Sequence, residues 1–132
     1  MSNLINLSEA ASIALHGMSL IAQSKQKRMN VQLLAETLDS SPAHLAKVFQ
    51  KLSKADLVKS VRGPAGGFEL NRIADEITFL DIYEAIEGKV ILHSCPLGKA
   101  KCAFRLCIFS NELNRISTDI YNTYQSLKLS SF

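Results

Sequence analysis

Apolar side chains recur every three or four residues in three stretches near the start of the chain, which is the spacing of an amphipathic α-helix. The first stretch lies near residues 8–23, the second follows Asn30 and the third follows Ser41. Ser8, Asn30 and Ser41 are residue types that accept free backbone N–H groups at a helix start, and Pro42 suits a first helical position. The pattern therefore predicts three capped helices, whose apolar stripes contain Ala10, Ala14, Met18, Ile21, Leu34, Ala35, Leu38, Leu45, Val48, Phe49 and Leu52.

The third predicted helix carries a basic face opposite its apolar stripe. His44, Lys47, Lys51 and Lys54 stand at positions i, i+3, i+7 and i+10 and project from one side. A short helix, a turn and a second capped helix with a basic outer face is how a helix-turn-helix presents its recognition helix to the major groove of DNA. The alternative interpretation is an ordinary solvent-exposed face.

Two short apolar runs after this helix, residues 57–61 and 68–70, predict the strands of a β-hairpin. The loop between them is rich in glycine, which permits positive φ angles and lets backbone lie against a phosphate. Arg62 stands just before the bend, where its guanidinium would enter a minor groove. Together with the preceding helices, the hairpin predicts a DNA-binding wing. The alternative is a structural turn with an exposed arginine.

The second half of the chain predicts two more helices. Thr78 is a suitable N-cap and Gly88 a suitable stop for the first, which would support the wing. From Cys102 onward we predict a long helix, because apolar residues alternate by three and four as in a coiled-coil seam. Such a stripe at the end of a small domain predicts pairing with a second copy of the chain, with packing onto its own domain as the alternative. The seam contains Leu106, Phe109, Leu113, Ile116, Ile120, Thr123 and Leu127.

Length and composition limit the class of protein. A chain of 132 residues that is 47% hydrophobic suffices for one compact unit. Residues 1–72 contain nine Lys and Arg against five Asp and Glu, whereas residues 73–132 contain six against seven, so the basic excess lies where DNA binding is predicted. No segment has the roughly 18 apolar residues of a membrane span, and no secretion signal is evident, so we expect a cytoplasmic protein. The absence of a catalytic-triad spacing, a P-loop or a dinucleotide fingerprint argues against an enzyme.

Three cysteines, Cys95, Cys102 and Cys107, lie within thirteen residues, with gaps of six and four. The predicted long helix would hold Cys107 in its first turns. Thiols this close in an intracellular chain favour a soft metal or thiol redox chemistry over structural disulfides. A zinc ion needs a fourth ligand, for which His93 is a candidate, and an iron-sulfur cluster also takes four ligands. The spacing alone leaves both possibilities open.

Several segments resemble the Rrf2 family of bacterial winged-helix regulators. The phrase LSKADLVKSVRGPAGGF, from Leu52 to Phe68, carries most of the resemblance and is far more specific than a glycine-rich turn. The resemblance covers about residues 7–110. It extends to the shorter segments Ala14-Leu15, Ser41-Pro42-Ala43-His44-Leu45, Glu76-Ile77-Thr78, Asp81-Ile82 and Glu84-Ala85-Ile86-Glu87-Gly88.

The resemblance implies a mainly α fold with a small β-hairpin. A winged helix-turn-helix would occupy residues 1–88, and a cysteine loop with a long dimerisation helix would occupy 89–132, in one compact unit. It further implies a homodimer that binds a near-palindromic operator in double-stranded DNA, usually as a repressor. The predicted DNA-contacting residues are Ser41, His44, Lys47 and Lys51 on the recognition helix and Arg62 and Gly63 on the wing.

Cluster-binding members of the family carry three cysteines at this place, usually with five residues in each gap. The resemblance thus implies an iron-sulfur cluster on Cys95, Cys102 and Cys107, with 2Fe-2S favoured over 4Fe-4S, although the middle cysteine here is displaced by one residue. One branch of the family takes its fourth ligand from a histidine at a position that is Ser110 here, and another takes it from an acidic residue of the partner's first helix. The candidates in this chain are Glu9, His16 and His93.

These expectations describe a regulator whose affinity for DNA changes when a cluster is gained, lost or nitrosylated. Three alternatives remain. The chain could sense oxidants through free thiols without metal, or it could be stabilised by zinc. From a different class, it could be a metal-carrying module that uses its winged helix for protein contacts.

Overall fold

The computed structural model describes residues 4–93, 95–98 and 101–132. Short 3-10 turns lie at Ala74–Glu76 and Leu129–Ser131. The architecture is mainly helical with a small antiparallel sheet, as predicted. The helices and strands in chain order are α1 (Glu9–Gln23), β1 (Arg28–Met29), α2 (Val31–Thr37), α3 (Pro42–Lys54), β2 (Val58–Val61), β3 (Gly67–Leu70), α4 (Phe79–Glu87) and α5 (Glu112–Ser126).

The three predicted N-caps of the first half are confirmed. The Ser8 hydroxyl accepts the N–H of Ala11 at 3.0 Å, and the Asn30 side chain accepts that of Leu33 at 2.7 Å. Ser41 does the same for the third helix, whose first residue is proline. Each cap satisfies one of the N–H groups that a helix start leaves without an internal partner.

The core is formed by the apolar stripes of the first four helices together with one face of the sheet. Phe49 of α3 is fully buried and its ring lies 4.9 Å from that of Phe68 in β3, which joins the recognition helix to the wing. A Cβ at Gly17 of α1 would lie 2.9 Å from the Phe49 ring, so α1 and α3 cross closely at that glycine. Large side chains that are fully buried include Met18, Ile21, Leu34, Leu45, Leu52, Leu57, Ile77 and Ile82.

The sheet has three strands in the order β1-β3-β2, with all pairs antiparallel. The predicted hairpin is therefore present, but a third strand, Arg28–Met29, lies between the first two predicted helices, where no strand was predicted. A two-residue strand is too short to show an alternating pattern, so periodicity does not reveal it. Because β1 pairs with β3, the wing hairpin is hydrogen-bonded along its β3 edge to the residues that lead into α2.

The helix α4 starts and stops at the predicted residues, and it packs against α1 and α3. Thr78 and Asp81 form a reciprocal capping box, in which each side chain accepts the other residue's N–H at 3.0 Å. Gly88 ends the helix with a φ of +88°, a conformation that glycine adopts without steric cost.

The C-terminal helix begins at Glu112 rather than at Cys102. The prediction that Cys107 lies in its first turns is wrong, and Leu106 and Phe109 of the predicted seam precede the helix. Ser110 and Asn111 have φ angles of +50° and +62°, which a right-handed helix does not accommodate. The N–H of Ser110 instead donates to the carbonyl of Cys107 at 3.0 Å, and that of Glu112 donates to the carbonyl of Phe109 at 2.9 Å, as in tight turns.

The helix α5 packs on its own domain along one edge. The Tyr124 ring meets Phe79 and Tyr83 of α4 edge to face, with centroids 6.4 Å and 5.9 Å away. No residue of α5 is buried. After the helix, the chain returns to the core, where Leu129 is 2% exposed and its N–H donates to the carbonyl of Ile77 at 3.1 Å.

Candidate DNA-binding surface and cysteine segment

The outer face of α3 presents the predicted recognition residues. Ser41, Lys47 and Lys51 are exposed, while the opposite face of the helix is buried in the core. His44 is half-buried, and its Nδ1 lies 3.9 Å from a carboxylate oxygen of Glu9 at the start of α1. The structure thus gives the helix one exposed basic side, and His44 lies at the edge of that side against α1.

The wing loop has the conformation that its glycines suggest. Gly63 has a φ of +105°, and its carbonyl accepts the N–H of Gly66 at 2.9 Å, closing a tight turn. A Cβ at Gly66 would lie 2.3 Å from the carbonyl oxygen of Val61, so a larger residue cannot be placed there without moving the backbone. Arg62 and Gly63 are exposed at the tip, as expected for residues that contact DNA.

A charged row on the sheet was not foreseen from the sequence. Arg28, Glu69 and Lys59 face one another across β1, β3 and β2 in register. Arg28 Nη2 lies 2.9 Å from Glu69 Oε2, and Lys59 Nζ lies 3.1 Å from Glu69 Oε1. Hydrogen bonds from Arg28 and then from Lys59 hold the pKa of Glu69 below its ordinary value of 4.5. The residues lie far apart in the chain, so no local motif indicates this contact.

The three cysteines lie in a segment with little regular structure between α4 and α5. Cys95 and Cys107 are half-buried and Cys102 is exposed, and none is in a disulfide. Within the described residues, no three His, Cys, Asp or Glu side chains converge as metal ligands would. A single copy of the chain therefore does not bring the predicted ligands together.

Cys107 has the most specific surroundings of the three thiols. Hydrogen bonds from the backbone of Asn111, then of Phe109 and least of Ser110, lower the pKa of the thiol below its ordinary value of 9.0. Backbone N–H groups stabilise the anionic thiolate, which is the form that ligates metals and reacts with oxidants. The donor chemistry at this position therefore fits a cluster ligand or a reactive thiol.

The three candidates for a fourth ligand lie in different places. Glu9 is near His44 of the recognition helix. The Nδ1 of His16 donates to the carbonyl of Ser12 at 2.7 Å, on the exposed side of α1. His93 lines the same cavity as Cys95 and is thus the candidate that the fold places near a cysteine of its own chain.

That cavity is an open apolar groove of about 560 Å³ along α5. It combines exposed side chains of α5 and of the segment after α4 with residues that precede α1. Its lining is mainly aliphatic and aromatic, with His93 and Cys95 at one part of the wall. The apolar lining includes Leu4, Ile5, Ile91, Leu92, Leu113, Ile116, Ile120, Tyr83, Tyr121 and Tyr124.

None of the helices in the described part of the chain combines the length and the apolarity needed to cross a lipid bilayer.

Known proteins similar to this chain are regulators of transcription. A protein of Aquifex aeolicus assigned as an HTH-type transcriptional regulator is 30% identical over 121 residues, which are 89% of this chain and 84% of that protein. The HTH-type transcriptional regulator IscR of Cereibacter sphaeroides is 36% identical over 80 residues, 61% of this chain and 52% of the relative. Among solved structures, CymR, the global cysteine regulator of B. subtilis, is 25% identical with a TM-score of 0.73, covering 96% of this chain and 95% of that one.

The family description that matches the chain is Rrf2, an iron-dependent transcriptional regulator, and the match runs over residues 7–132. It includes the winged helix, the cysteine segment and α5, and the solved relatives share the winged-helix fold. The chain therefore belongs to the Rrf2 family and is a DNA-binding regulator of transcription, not an enzyme.

Proposed function

We propose that the chain acts as a homodimeric repressor that binds a near-palindromic operator, with α3 in the major groove and the wing in the adjacent minor groove. The observation that carries the proposal is the exposed basic side of α3, with Lys47 and Lys51, held by a buried aromatic contact to a wing that exposes Arg62. Lysine and arginine at these places neutralise phosphates, and a helix in the major groove reads base edges.

The DNA contacts are tested on an operator selected from random duplexes by the wild-type protein. Replacing Lys47, Lys51 or Arg62 with alanine should weaken binding, and each lost phosphate contact should reduce the slope of log affinity against log salt by about 0.9. Lys89→Ala is the matched control, since Lys89 is exposed but follows α4. Equal losses in the control and in the three variants would contradict this surface.

The dimer is supported by the surface that α5 leaves uncovered. Ile116 is 41% exposed, and it lines the apolar groove together with residues that precede α1. A face of this kind is stable in water when another apolar surface covers it, and a second copy of α5 supplies one with the same pattern. In this proposal residues 1–88 bind DNA and residues 89–132 join the two copies.

Sedimentation of two charged variants tests the dimer. Ile116→Glu places a carboxylate on the apolar face and should yield monomers with unchanged helix content and weaker operator binding. Asn114→Glu adds the same charge on the opposite side of α5 and should remain a dimer. If both variants sediment as the wild type does, α5 is not the dimer interface.

We further propose that Cys95, Cys102 and Cys107 hold an iron-sulfur cluster in the dimer, with 2Fe-2S favoured. Three thiols are the soft donors that such clusters take, and backbone hydrogen bonds from Asn111 and Phe109 lower the pKa of Cys107 and so favour its thiolate. A bound cluster would supply iron that reacts with oxidants and nitric oxide. The cysteine segment has to rearrange to bring the three sulfurs together, and this rearrangement next to α5 is what would alter the spacing of the two recognition helices.

Anaerobic preparation with iron and sulfide analysis tests the cluster. The wild type should be coloured and contain both, and each Cys→Ala variant should lose them, while Ser110→Ala should retain them. Glu9→Ala, His16→Ala and His93→Ala then separate the candidates for the fourth ligand. Operator affinity that is equal with and without the cluster would exclude control by the cluster.

A cluster-free thiol regulator is the second candidate. It is favoured by the separation of the cysteines in the single chain and by the lowered pKa of Cys107. In that case anaerobic protein is colourless and free of metal, and its operator affinity changes when Cys107 is oxidised. A zinc-stabilised form, with His93 beside Cys95, would be colourless but contain zinc.

A further inference from the structure

The charged row Arg28, Glu69 and Lys59 lies on the outward side of the wing sheet. Its neighbours in the same strands, Met29 and Phe68, are paired in the next row, and Phe68 points into the core against Phe49. Because successive residues of a strand point to opposite faces, the charged row faces away from α3. Both oxygens of Glu69 are engaged, one by Arg28 and one by Lys59.

Arg28 makes a second contact, which leads to the tip of the wing. Its Nη1 donates to the carbonyl oxygen of Ala65 at 3.1 Å, while its Nε and Nη2 donate to Glu69 at 3.1 Å and 2.9 Å. Among the described residues, this is the one side-chain hydrogen bond made to wing-loop residues 62–66. The planar guanidinium fits this double role, since its donors are fixed in one fork.

The position of Arg28 in the chain connects the wing to the helix-turn-helix. Two residues after Arg28, Asn30 caps α2, the first helix of that motif. The wing loop contains two glycines, Gly63 and Gly66, and one backbone hydrogen bond, from the N–H of Gly66 to the carbonyl of Gly63, ties it within itself. A contact from outside the loop therefore restricts how the tip stands relative to α3.

We propose that Arg28 is a positioning residue for DNA binding, which holds the wing tip through Ala65 and is itself oriented by Glu69. The proposal rests on the proposed function, in which the wing contacts DNA. Arg28 need not touch DNA itself. Glu69, an acidic residue at the base of the wing, orients Arg28 through the two hydrogen bonds that it accepts from the guanidinium.

The effect of Glu69→Gln on operator affinity distinguishes positioning from simple electrostatics, because the two predict changes of opposite sign. The substitution removes a negative charge beside DNA, so electrostatics alone predicts tighter operator binding. Positioning predicts weaker binding, because a neutral amide holds the guanidinium less firmly than a carboxylate does. Arg28→Lys is the second informative variant, since lysine keeps the positive charge but lacks the planar group of donors that contacts Glu69 and Ala65 together.

Operator affinity as a function of salt and amide hydrogen exchange of the free protein test the proposal. Glu69→Gln and Arg28→Lys should each weaken binding by roughly threefold to tenfold with an unchanged salt slope. Exchange at Gly63, Ala65 and Gly66 should become faster in both variants. Arg62→Ala, as a phosphate contact, should instead reduce the salt slope by about 0.9. Far-UV circular dichroism verifies that each variant is folded.

Tighter or unchanged binding by Glu69→Gln, with wild-type exchange in the wing, overturns the proposal. The proposal is also overturned if Arg28→Lys binds the operator as tightly as the wild type while Arg28→Ala lowers both the affinity and the slope of log affinity against log salt. Arg28 would then be a phosphate contact. In both cases Arg62→Ala still weakens binding, so the proposed function stands. If Arg62→Ala binds as the wild type, the wing contact is wrong and the role of Arg28 falls with it.

Discussion

Residues 9–87 and residues 101–126 differ in where they place their apolar side chains. The first region has a continuous core of buried aliphatic and aromatic residues from α1 to α4. In the second, Phe104, Leu106, Ile108, Phe109 and Ile116 are all exposed, and α5 contains no buried residue. The first region is thus stabilised by contacts within one chain, whereas the second presents the surface that a partner or a ligand would cover.

This difference separates two tasks of the molecule. The recognition helix and the wing need a fixed relative geometry, and the buried contact of Phe49 with Phe68 provides it. In the proposed function the cysteine segment changes its arrangement, and a segment with few buried contacts does so at a lower cost in free energy. Binding to the second region would then act on the first without unfolding it.

The largest expected effect comes from Leu129, which follows α5 in sequence but belongs to the core. Leu129→Ala should reduce the free energy of unfolding by about 2–5 kcal/mol, because a fully buried aliphatic side chain is removed. Ile116→Ala should change it by no more than about 0.5 kcal/mol in the monomer, since Ile116 is largely exposed. Urea unfolding at a protein concentration that keeps the chain monomeric measures both. If both variants lowered the free energy of unfolding by a similar amount, the two regions would not differ in how far their apolar side chains stabilise the single chain.

The wing is the part of the first region most sensitive to backbone change. Gly67 has a φ of +148°, and a Cβ there would lie 2.4 Å from the carbonyl oxygen of Met29 in β1. Gly67→Ala should therefore cost about 1–3 kcal/mol through backbone strain and also displace β1. Gly63→Ala, with a φ of +105° and open space around it, is the control and should cost less. Urea unfolding and hydrogen exchange at Phe68 measure the difference, and equal effects would argue against close packing of β1 on β3.

The second region should nevertheless show local order around Cys107. Because its folded-state pKa is lowered, more thiolate is present at pH 7 than in the unfolded chain, and alkylation by iodoacetamide should be faster on the order of severalfold. The measurement uses metal-free protein in which Cys95 and Cys102 are serine, with the urea-unfolded chain as reference. A folded rate below the unfolded rate would show that the N–H groups do not stabilise the thiolate.

The smallest effect concerns the charged row on the wing. The pKa of Glu69 is lowered in the folded state. Its ion pairs with Arg28 and Lys59 therefore stabilise the fold at pH values above the unfolded-state pKa of 4.5. This contribution is lost as the pH falls through the lower pKa of the folded state. The wild type should be slightly more stable than Glu69→Gln at pH 7, and the difference should vanish in acid. Unfolding of both proteins from pH 7 to pH 3 measures it. A difference that grows on acidification would contradict the sign of the shift.

The helix starts of the first region were predictable because their determinants are local. A cap is a contact between residues three apart, so Ser8, Asn30, Ser41 and Thr78 are identifiable without knowing the fold. The apolar stripes were predictable for the same reason, since one chain buries them. The exposed recognition residues Lys47 and Lys51 follow directly from the opposite face of α3.

The parts that could not be predicted depend on contacts distant in sequence or on competing local structures. Strand β1 exists because Met29 pairs with Phe68, and nothing within two residues signals that pairing. The start of α5 was predicted too early because an apolar period of three and four continues through Leu106 and Phe109, whereas Ser110 and Asn111 adopt positive φ angles that interrupt a helix. The convergence of the cysteines stays a prediction, because it involves a second copy or a ligand.

After α5 the chain returns to the core at Leu129, and this return fixes the C-terminal end of the helix. Phe79 donates its N–H to the carbonyl of Leu127 at 2.9 Å, and Thr78 pairs with Lys128, so the C-terminal end of α5 is attached at the cap of α4. The helix is thereby attached to α4 at its C-terminal end, where the Tyr124 ring also packs, while Ile116 nearer its start is exposed. A tilt of α5 would therefore act on the first turn of α4, and α4 as a whole packs against α1 and α3. In the proposed function, a displacement of the cysteine segment would reach the recognition helix by this route, through the Thr78 cap.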